Sequence, residues 1–218
     1  MIDSSNIAAM VLAGGKGVRM YSPSTKMLMR ILGKPLVVFP VERALEAAGG
    51  PVVVVSGEAL DDVKAAVTVQ TSDIRLKFAP QANPRGTADA VGAGLAAAKG
   101  AEHLLILNGD VPCTPPSLLR RLVDSYLSHS ADLSFVAFCP PDPFGYGRVI
   151  YDDSGVVEAI REEKELEEDE RALEVVNAGL YLVKIELLAE FLGAVAPSAR
   201  QREYLLTDVV SFIAAKGG

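Results

Sequence analysis

The sequence predicts an α/β fold: a doubly wound, mainly parallel sheet followed by a small antiparallel β layer. Three observations carry this reading. Short β-branched or apolar runs alternate with segments whose apolar residues recur every three to four positions. The first of these runs ends in a glycine-rich turn, and beyond residue 140 the alternation gives way to a hairpin pattern and a further strand.

The predicted parallel strands are "IAAMVLA" (7–13), "PVVVVS" (51–56), "IRLKFA" (74–79), "HLLILN" (103–108) and "DLSFVAF" (132–138). Between them, "PLVVFPVERALEAAGG", "EALDDVKAAVTV", "GTADAVGAGLAAAKG" and "PSLLRRLVDSYLSHS" read as crossover helices, the connection that parallel strands require. "GRVIYDDSGVVEAI" predicts a hairpin turning at Asp153, Ser154 and Gly155, and "VVNAGLYLV" a further strand. Two helical patterns close the chain, around "IELLAEFLGAV" and "EYLLTDVVSFIAAK". The charged run "REEKELEEDERALE" (161–174) reads as a solvated helix or loop. No internal repeat or low-complexity linker is visible, so 1–218 is read as one domain, with a first half to about residue 110 and a second from about 111.

Composition narrows the function. The chain has 218 residues, half of them apolar, and a net charge of −7, which argues against coating nucleic acid or an anionic membrane. The charge is unevenly spread. Residues 1–41 hold five basic side chains (Lys16, Arg19, Lys26, Arg30, Lys34) and one acidic (Asp3), a local excess of positive charge that suits a small anionic ligand. Apolar runs fall short of bilayer length and the N-terminus lacks the features of a secretory signal, so a cytoplasmic location is expected. Cys113 and Cys139 fit no metal or redox spacing and are expected to be structural, and the isolated His103 and His129 give a histidine metal site or catalytic triad no support.

"LAGGKGVRM" (12–20) puts three glycines, Lys16 and Arg19 directly after the first strand. A glycine turn in that position aims backbone N–H groups at the carboxyl edge of the sheet, where open α/β folds bind anions. It is neither a P-loop, lacking the spacing and the hydroxyl, nor a dinucleotide fingerprint, because Met20 stands where the third glycine belongs. "LILNGDVP" (105–112) ends another strand at Asp110, a residue placed either to hold Mg²⁺ against phosphate oxygens or to cap the helix beginning near Pro115.

In this order, "LAGGKGVRMYSPSTKML", "QANPRGT", "LNGDVP", "FGYGR", "VVNAG" and "EYLLTD" resemble the sugar-1-phosphate nucleotidyltransferases. The chain looks most like the uridylyltransferase (pyrophosphorylase) domain of the bifunctional enzymes that make UDP-N-acetylglucosamine, over about residues 7–210. The resemblance implies a Rossmann-like nucleotide-diphospho-sugar transferase fold with a nucleotide-binding half and a sugar-binding half. It places Leu12, Ala13 and Gly15 against the uridine, Lys16 and Arg19 on the triphosphate, and Lys26 on the sugar phosphate. Gln81, Gly86 and Thr87 match positions that read the uracil edge, and Asp110 matches the Mg²⁺ ligand. Gly147, Glu162, Asn177, Tyr204 and Thr207 match positions around the acetylated sugar, with Lys164 in the same loop. The implied substrates are UTP and N-acetylglucosamine-1-phosphate.

Four departures accompany the match. Gly14 stands where the nearest relatives usually have alanine, as in thymidylyl- and molybdenum-cofactor nucleotidyltransferases; "REEK" replaces glutamate-histidine-lysine; the family's second metal ligand, an asparagine beyond the equivalent of Gly218, has no counterpart; and no hexapeptide repeat of an appended acetyltransferase is present. Other nucleotidyl transfers and a nucleotide-sugar-binding module without catalysis are the competing readings.

Overall fold

The computed structural model describes residues 4–15 and 25–217. Strand β1 (Ile7–Leu12) is buried at every position. Two-residue strands β2 (Arg30–Ile31) and β3 (Lys34–Pro35) form a small hairpin that the sequence pattern did not announce, and helix α1 (Val38–Ala47) follows. Then come β4 (Val52–Ser56), α2 (Leu60–Thr68), β5 (Leu76–Pro80), α3 (Thr87–Leu95), β6 (His103–Asn108), α4 (Pro116–Ser128) and β7 (Leu133–Phe138). The predicted hairpin is β8 (Arg148–Tyr151) and β9 (Val157–Arg161), with Asp152 Oδ1 accepting the Ser154 and Val156 N–H groups across the turn, each at 2.9 Å. Strand β10 (Val176–Lys184) and helices α5 (Ile185–Ala194) and α6 (Asp208–Ala214) complete the order. The last helix begins at Asp208, because residues 204–206 are bonded to the start of α3 instead: Ala88 N–H donates to the Tyr204 carbonyl and Leu206 N–H to Thr87 Oγ1, both at 2.9 Å.

One eight-stranded sheet runs β5-β4-β1-β6-β10-β8-β9, with β7 also paired to β10. The first four strands are parallel, and β10 is antiparallel to β6. The antiparallel strands expected beyond residue 140 are continuous with this sheet. Tyr181 pairs with both Ile106 of β6 and Phe135 of β7, and Val176 with both Phe138 of β7 and Arg148 of β8. Strands β6 and β8 therefore share one edge of β10, and the sheet forks at residues 177–180, where the register shifts.

Alternate residues of β1 serve opposite faces. Ile7, Ala9 and Val11 pack with α1, α2 and α4; Ala8, Met10 and Leu12 pack with α3, α5 and α6. This two-sided burial explains why parallel strands read as continuous apolar runs. Among the described residues no helix is long and apolar enough to cross a membrane. Further expectations change. Strand β7, expected among the parallel strands, pairs antiparallel with β10, because β10 lies between it and β6. Cys113 and Cys139 are free and exposed, not buried packing residues. The 161–174 run begins on the last residue of β9 and continues as a loop with one 3₁₀ turn (Asp169–Ala172), and it is largely engaged: Leu166 is buried, Glu163 bonds Arg148 and Arg171, Glu165 bonds the Gln201 N–H, and Glu170 pairs with Arg161.

Two glycines on α3 separate packing from propensity. A Cβ on Gly94 would stand 2.6 Å from Val55 Cγ2 and 2.7 Å from Met10 Cε, whereas a Cβ on Gly92 would meet nothing within 4 Å. Gly92→Ala should stabilise the protein by about 0.5–1 kcal/mol through helix propensity. Gly94→Ala should destabilise it, because overpacking costs about 1–3 kcal/mol. Urea unfolding midpoints moving in opposite directions are the expected result.

Candidate active site

Parallel pairing brings the carboxyl ends of β1, β4, β5 and β6 to one edge, where Leu12 pairs with Val55 and Asn108, and Ser56 with Pro80. The antiparallel β10 brings its amino end, with Asn177, to the same edge. A cleft of about 580 Å³ opens there, lined by Leu12, Gly14, Gly15, Lys26, Gln81, Gly86, Thr87, Asn108, Asp110 and Glu203 among others. A cavity of about 430 Å³ lies beside it, sharing Gly14, Gly15, Gln81 and Pro84 and adding Ala13, Ser56, Glu58 and Asp62.

Lys16 and Arg19 lie outside the described residues. The third expected cation, Lys26, begins a 3₁₀ turn (Lys26–Leu28) held down by the buried Met27. Its ammonium pairs with the Asp110 carboxylate from 84 positions away, both side chains remaining partly exposed to the cleft. Gly15 packs beside this pair, with 3.2 Å between a built Cβ and Lys26 Cε. The capping role considered for Asp110 is excluded by α4, whose N-cap residue is Pro115 without a side-chain cap bond.

Asp110 offers hard oxygen donors at the cleft, and among the described residues no group of three His, Cys, Asp or Glu gathers to hold a metal. One carboxylate completed by phosphate oxygens and water is the coordination that Mg²⁺ favours over an all-protein cage. The residues present therefore fit that ion.

The residues expected against the uridine divide. The Leu12 carbonyl accepts from Gly109 N–H at 2.9 Å; Ala13 donates to the Val55 carbonyl at 2.7 Å and accepts from Ser56 Oγ at 3.1 Å. These groups brace the turn, while Gly14, Gly15 and Gln81 face the space in front of it. Gln81 is only 5% exposed and donates Nε2 to the Gly86 carbonyl (3.2 Å) and Asp89 Oδ2 (2.9 Å). Thr87 lines the cleft while its hydroxyl accepts the Leu206 N–H at 2.9 Å.

Four of the five expected sugar-side residues cluster. Asn177 N–H donates to the Gly147 carbonyl at 2.9 Å, a Cβ on Gly147 would lie 3.5 Å from Glu162 Oε2, and Thr207 Oγ1 stands 3.4 Å from Glu162 Oε1. The Asn177 amide donates to Tyr181 Oη at 2.5 Å and accepts the Gly179 N–H at 2.9 Å, which fixes the register shift where the sheet forks. Tyr204 does not join them. Its ring lies under the Arg85 guanidinium, 5.2 Å away, and lines a separate groove of about 570 Å³. Lys164 is exposed, and its carbonyl accepts from Arg200 at 3.2 Å.

Geometry also separates the two adjacent glutamates of "REEK". Glu163 is committed to Arg148 (2.9 Å), Arg171 (3.1 Å) and the Gly145 N–H (3.1 Å). Glu162 is half-buried, and among the described residues its carboxylate accepts from Thr207 only, which leaves it the one with acceptor capacity to offer.

The family pattern for MobA-like NTP transferase domains matches residues 9–198. The chain belongs to the MobA-like NTP transferase family. It is 43% identical over 213 residues to the bifunctional protein GlmU of Anaeromyxobacter sp. (strain K), covering 97% of this chain and 44% of that protein. It is 34% identical over 210 residues to GlmU of Trichlorobacter lovleyi, covering 96% and 45%. The chain thus spans somewhat under half the length of these relatives. A solved structure of UDP-glucose pyrophosphorylase complexed with UDP-glucose shares the fold, with a TM-score of 0.75 at 18% identity over 96% of this chain and 87% of the other.

Sequence patterns missed several residues of this cleft. Asp89 reads as one more acid in a helical segment, yet it holds Gln81. Asn108 lies against Gly179, which adopts φ +73 and could carry no side chain there without striking the Asn108 amide. Glu203 gave no signal beyond its place in "EYLLTD".

Burial raises the Glu162 pKa above its ordinary value; the Thr207 hydrogen bond opposes this, and Asp208, Glu203 and Glu165 reinforce it. A carboxyl with a raised folded pKa binds more protons in the native than in the unfolded state. Its contribution to stability is therefore lost as pH climbs from the ordinary glutamate value through the folded one. Glu162→Gln should be more stable than the parent at neutral pH, and the gap should close as pH falls towards about 4. Thermal melts between these limits check both the sign and the window.

Proposed function

We propose that this chain transfers the uridylyl group of UTP to N-acetylglucosamine-1-phosphate, giving UDP-N-acetylglucosamine and pyrophosphate. The observation that carries the proposal is the Lys26–Asp110 pair beside the glycine turn, in a cleft that also presents the buried Gln81. It is supported by the likeness to GlmU, by the motifs "QANPRGT", "FGYGR" and "VVNAG", and by a fold shared with a UDP-sugar pyrophosphorylase.

The attacking oxygen belongs to a phosphate monoester, already anionic at neutral pH, so the reaction needs no histidine or serine base. A bond forms from that oxygen to the α-phosphorus as the bond to the departing pyrophosphate breaks. The obstacle is repulsion between two polyanions, which grows as water is excluded. Lys26 offsets it on the acceptor side, and Lys16 and Arg19 serve the triphosphate. Asp110 holds Mg²⁺, which when bound neutralises phosphate charge. Gln81 reads the base, and Glu162 and Asn177 orient the sugar around Gly147. Alignment and charge stabilisation then supply the acceleration.

Pyrophosphate release with each NTP and a series of sugar phosphates tests the proposal, with release expected for UTP and N-acetylglucosamine-1-phosphate. Release with another pair would move the assignment within the family, and binding without release would make the chain a nucleotide-sugar-binding module. Lys26→Ala and Asp110→Ala should each lower turnover by at least ~10²-fold, the scale for loss of one preorganised electrostatic partner. Wild-type turnover in both would overturn the assignment.

A further inference from the structure

The two ends of a glutamine amide have almost the same shape and opposite hydrogen-bonding character, so something must decide which end faces a ligand. For Gln81 the decision is made behind the cleft wall. Its Nε2 meets the Gly86 carbonyl at 3.2 Å and Asp89 Oδ2 at 2.9 Å. A carbonyl only accepts, and so does an ionised carboxylate. Turning the amide round would set Oε1 against both.

Asp89 is held in that ionised form. Its Oδ1 accepts from Arg85 Nε at 2.9 Å and Nη2 at 2.6 Å, and its side chain is only 13% exposed. Burial pushes its pKa up, but the bonds from Gln81 and Arg85 outweigh this and hold it below the ordinary carboxylate value. Its place in the first turn of α3 adds the favourable interaction of an anion with a helix N-terminus. Arg85 is braced in turn, its guanidinium over the Tyr204 ring and its carbonyl accepting the Tyr204 N–H at 2.8 Å.

With Nε2 committed, Oε1 points the other way, over the glycine turn. A Cβ on residue 14 would come within 2.6 Å of it, so Gly14 is the residue that leaves this orientation room. The cleft wall therefore presents an acceptor.

We propose that Asp89, clamped by Arg85, is a positioning residue that fixes the polarity of the Gln81 amide, so that the cleft selects a nucleobase edge carrying a ring N–H, uracil over cytosine. The inference rests on Gln81 reading the base, as proposed above. Uracil offers an N3–H to Oε1, whereas cytosine sets a lone pair against it, and burying two facing acceptors is costly.

Asp89→Asn and Asp89→Ala test it on the full chain, with UTP and CTP binding measured by calorimetry and kcat/KM measured for both nucleotides. The parent should prefer UTP by at least ~10-fold, the scale of one unsatisfied buried hydrogen bond. In Asp89→Asn the new amide can turn its own NH₂ towards Gln81, which frees Gln81 to reverse, and the UTP:CTP ratio should shrink by at least ~10-fold or invert. In Asp89→Ala the ratio should also fall, and this variant carries the test if the first does not fold. The KM for the sugar phosphate should stay unchanged. Folded variants that keep the parent ratio, or that lose UTP and CTP binding equally, would overturn the role of Asp89 and leave the base reading intact. A parent with no preference for UTP over CTP would instead overturn the base reading itself, and this inference with it.

Discussion

Gly109 donates its N–H to the Leu12 carbonyl at 2.9 Å, and this bond joins the ends of β1 and β6 at the edge where the whole cleft is mounted. It continues the parallel register of Leu12 with Asn108 one step past the strands. The step requires glycine, since a Cβ at 109 would stand 2.8 Å from the same carbonyl. Asp110 follows at once, and so its carboxylate emerges beside the turn that begins at Ala13. The Lys26 pairing and the place of Gly15 depend on that closure. Two backbones that approach within a hydrogen bond leave little freedom to the residues just beyond them, and a preorganised charged site needs that rigidity.

The cleft joins two kinds of structure with different physics. On the parallel side, backbone groups of the turn are spent on bracing, through Val55, Ser56 and Gly109, while glycines keep the surface open. On the antiparallel side the work falls to side chains: Asn177 pins the fork of β10, Glu163 ties the loop after β9 to Arg148, and Glu162 is left half-buried between Thr207 and Gly147. The 204–206 segment links the sides by bonding to the first turn of α3. Gly86, at φ +128, allows that contact, because any side chain there would strike the Tyr204 backbone.

Much of the fold was legible because it is written in local periodicity. Buried parallel strands such as "PVVVVS" and "HLLILN" are apolar on both faces, and their crossover helices carry the three-to-four spacing that burial of one stripe demands. The hairpin at 152–156 was legible from its turn residues. The short β2–β3 pair was not, since two residues carry no period, and neither was the start of α6 at Asp208. Apolar spacing in "EYLLTD" looks helical, but Leu205 and Leu206 are buried in a segment whose backbone bonds to another element. Residue pattern also misjudged Cys113 and Cys139: burial follows the position of a segment on the surface, and composition does not encode that position.

For the site, the sequence by itself determined the chemistry available: a cationic, glycine-rich opening on an acidic chain, a carboxylate after a strand, and motifs shared with a nucleotidyltransferase family. Partnership was decided only by the tertiary structure. Lys26 meets Asp110 across 84 positions, Glu162 rather than Glu163 keeps a carboxylate to offer, and Tyr204 turns to Arg85 instead of the cluster of Gly147, Glu162, Asn177 and Thr207. Asp89 acquired its bond to Gln81 in the same way. A side chain's type is local information, but which donor reaches which acceptor is fixed by strand order and loop closure, and these exist only once the whole sheet has formed.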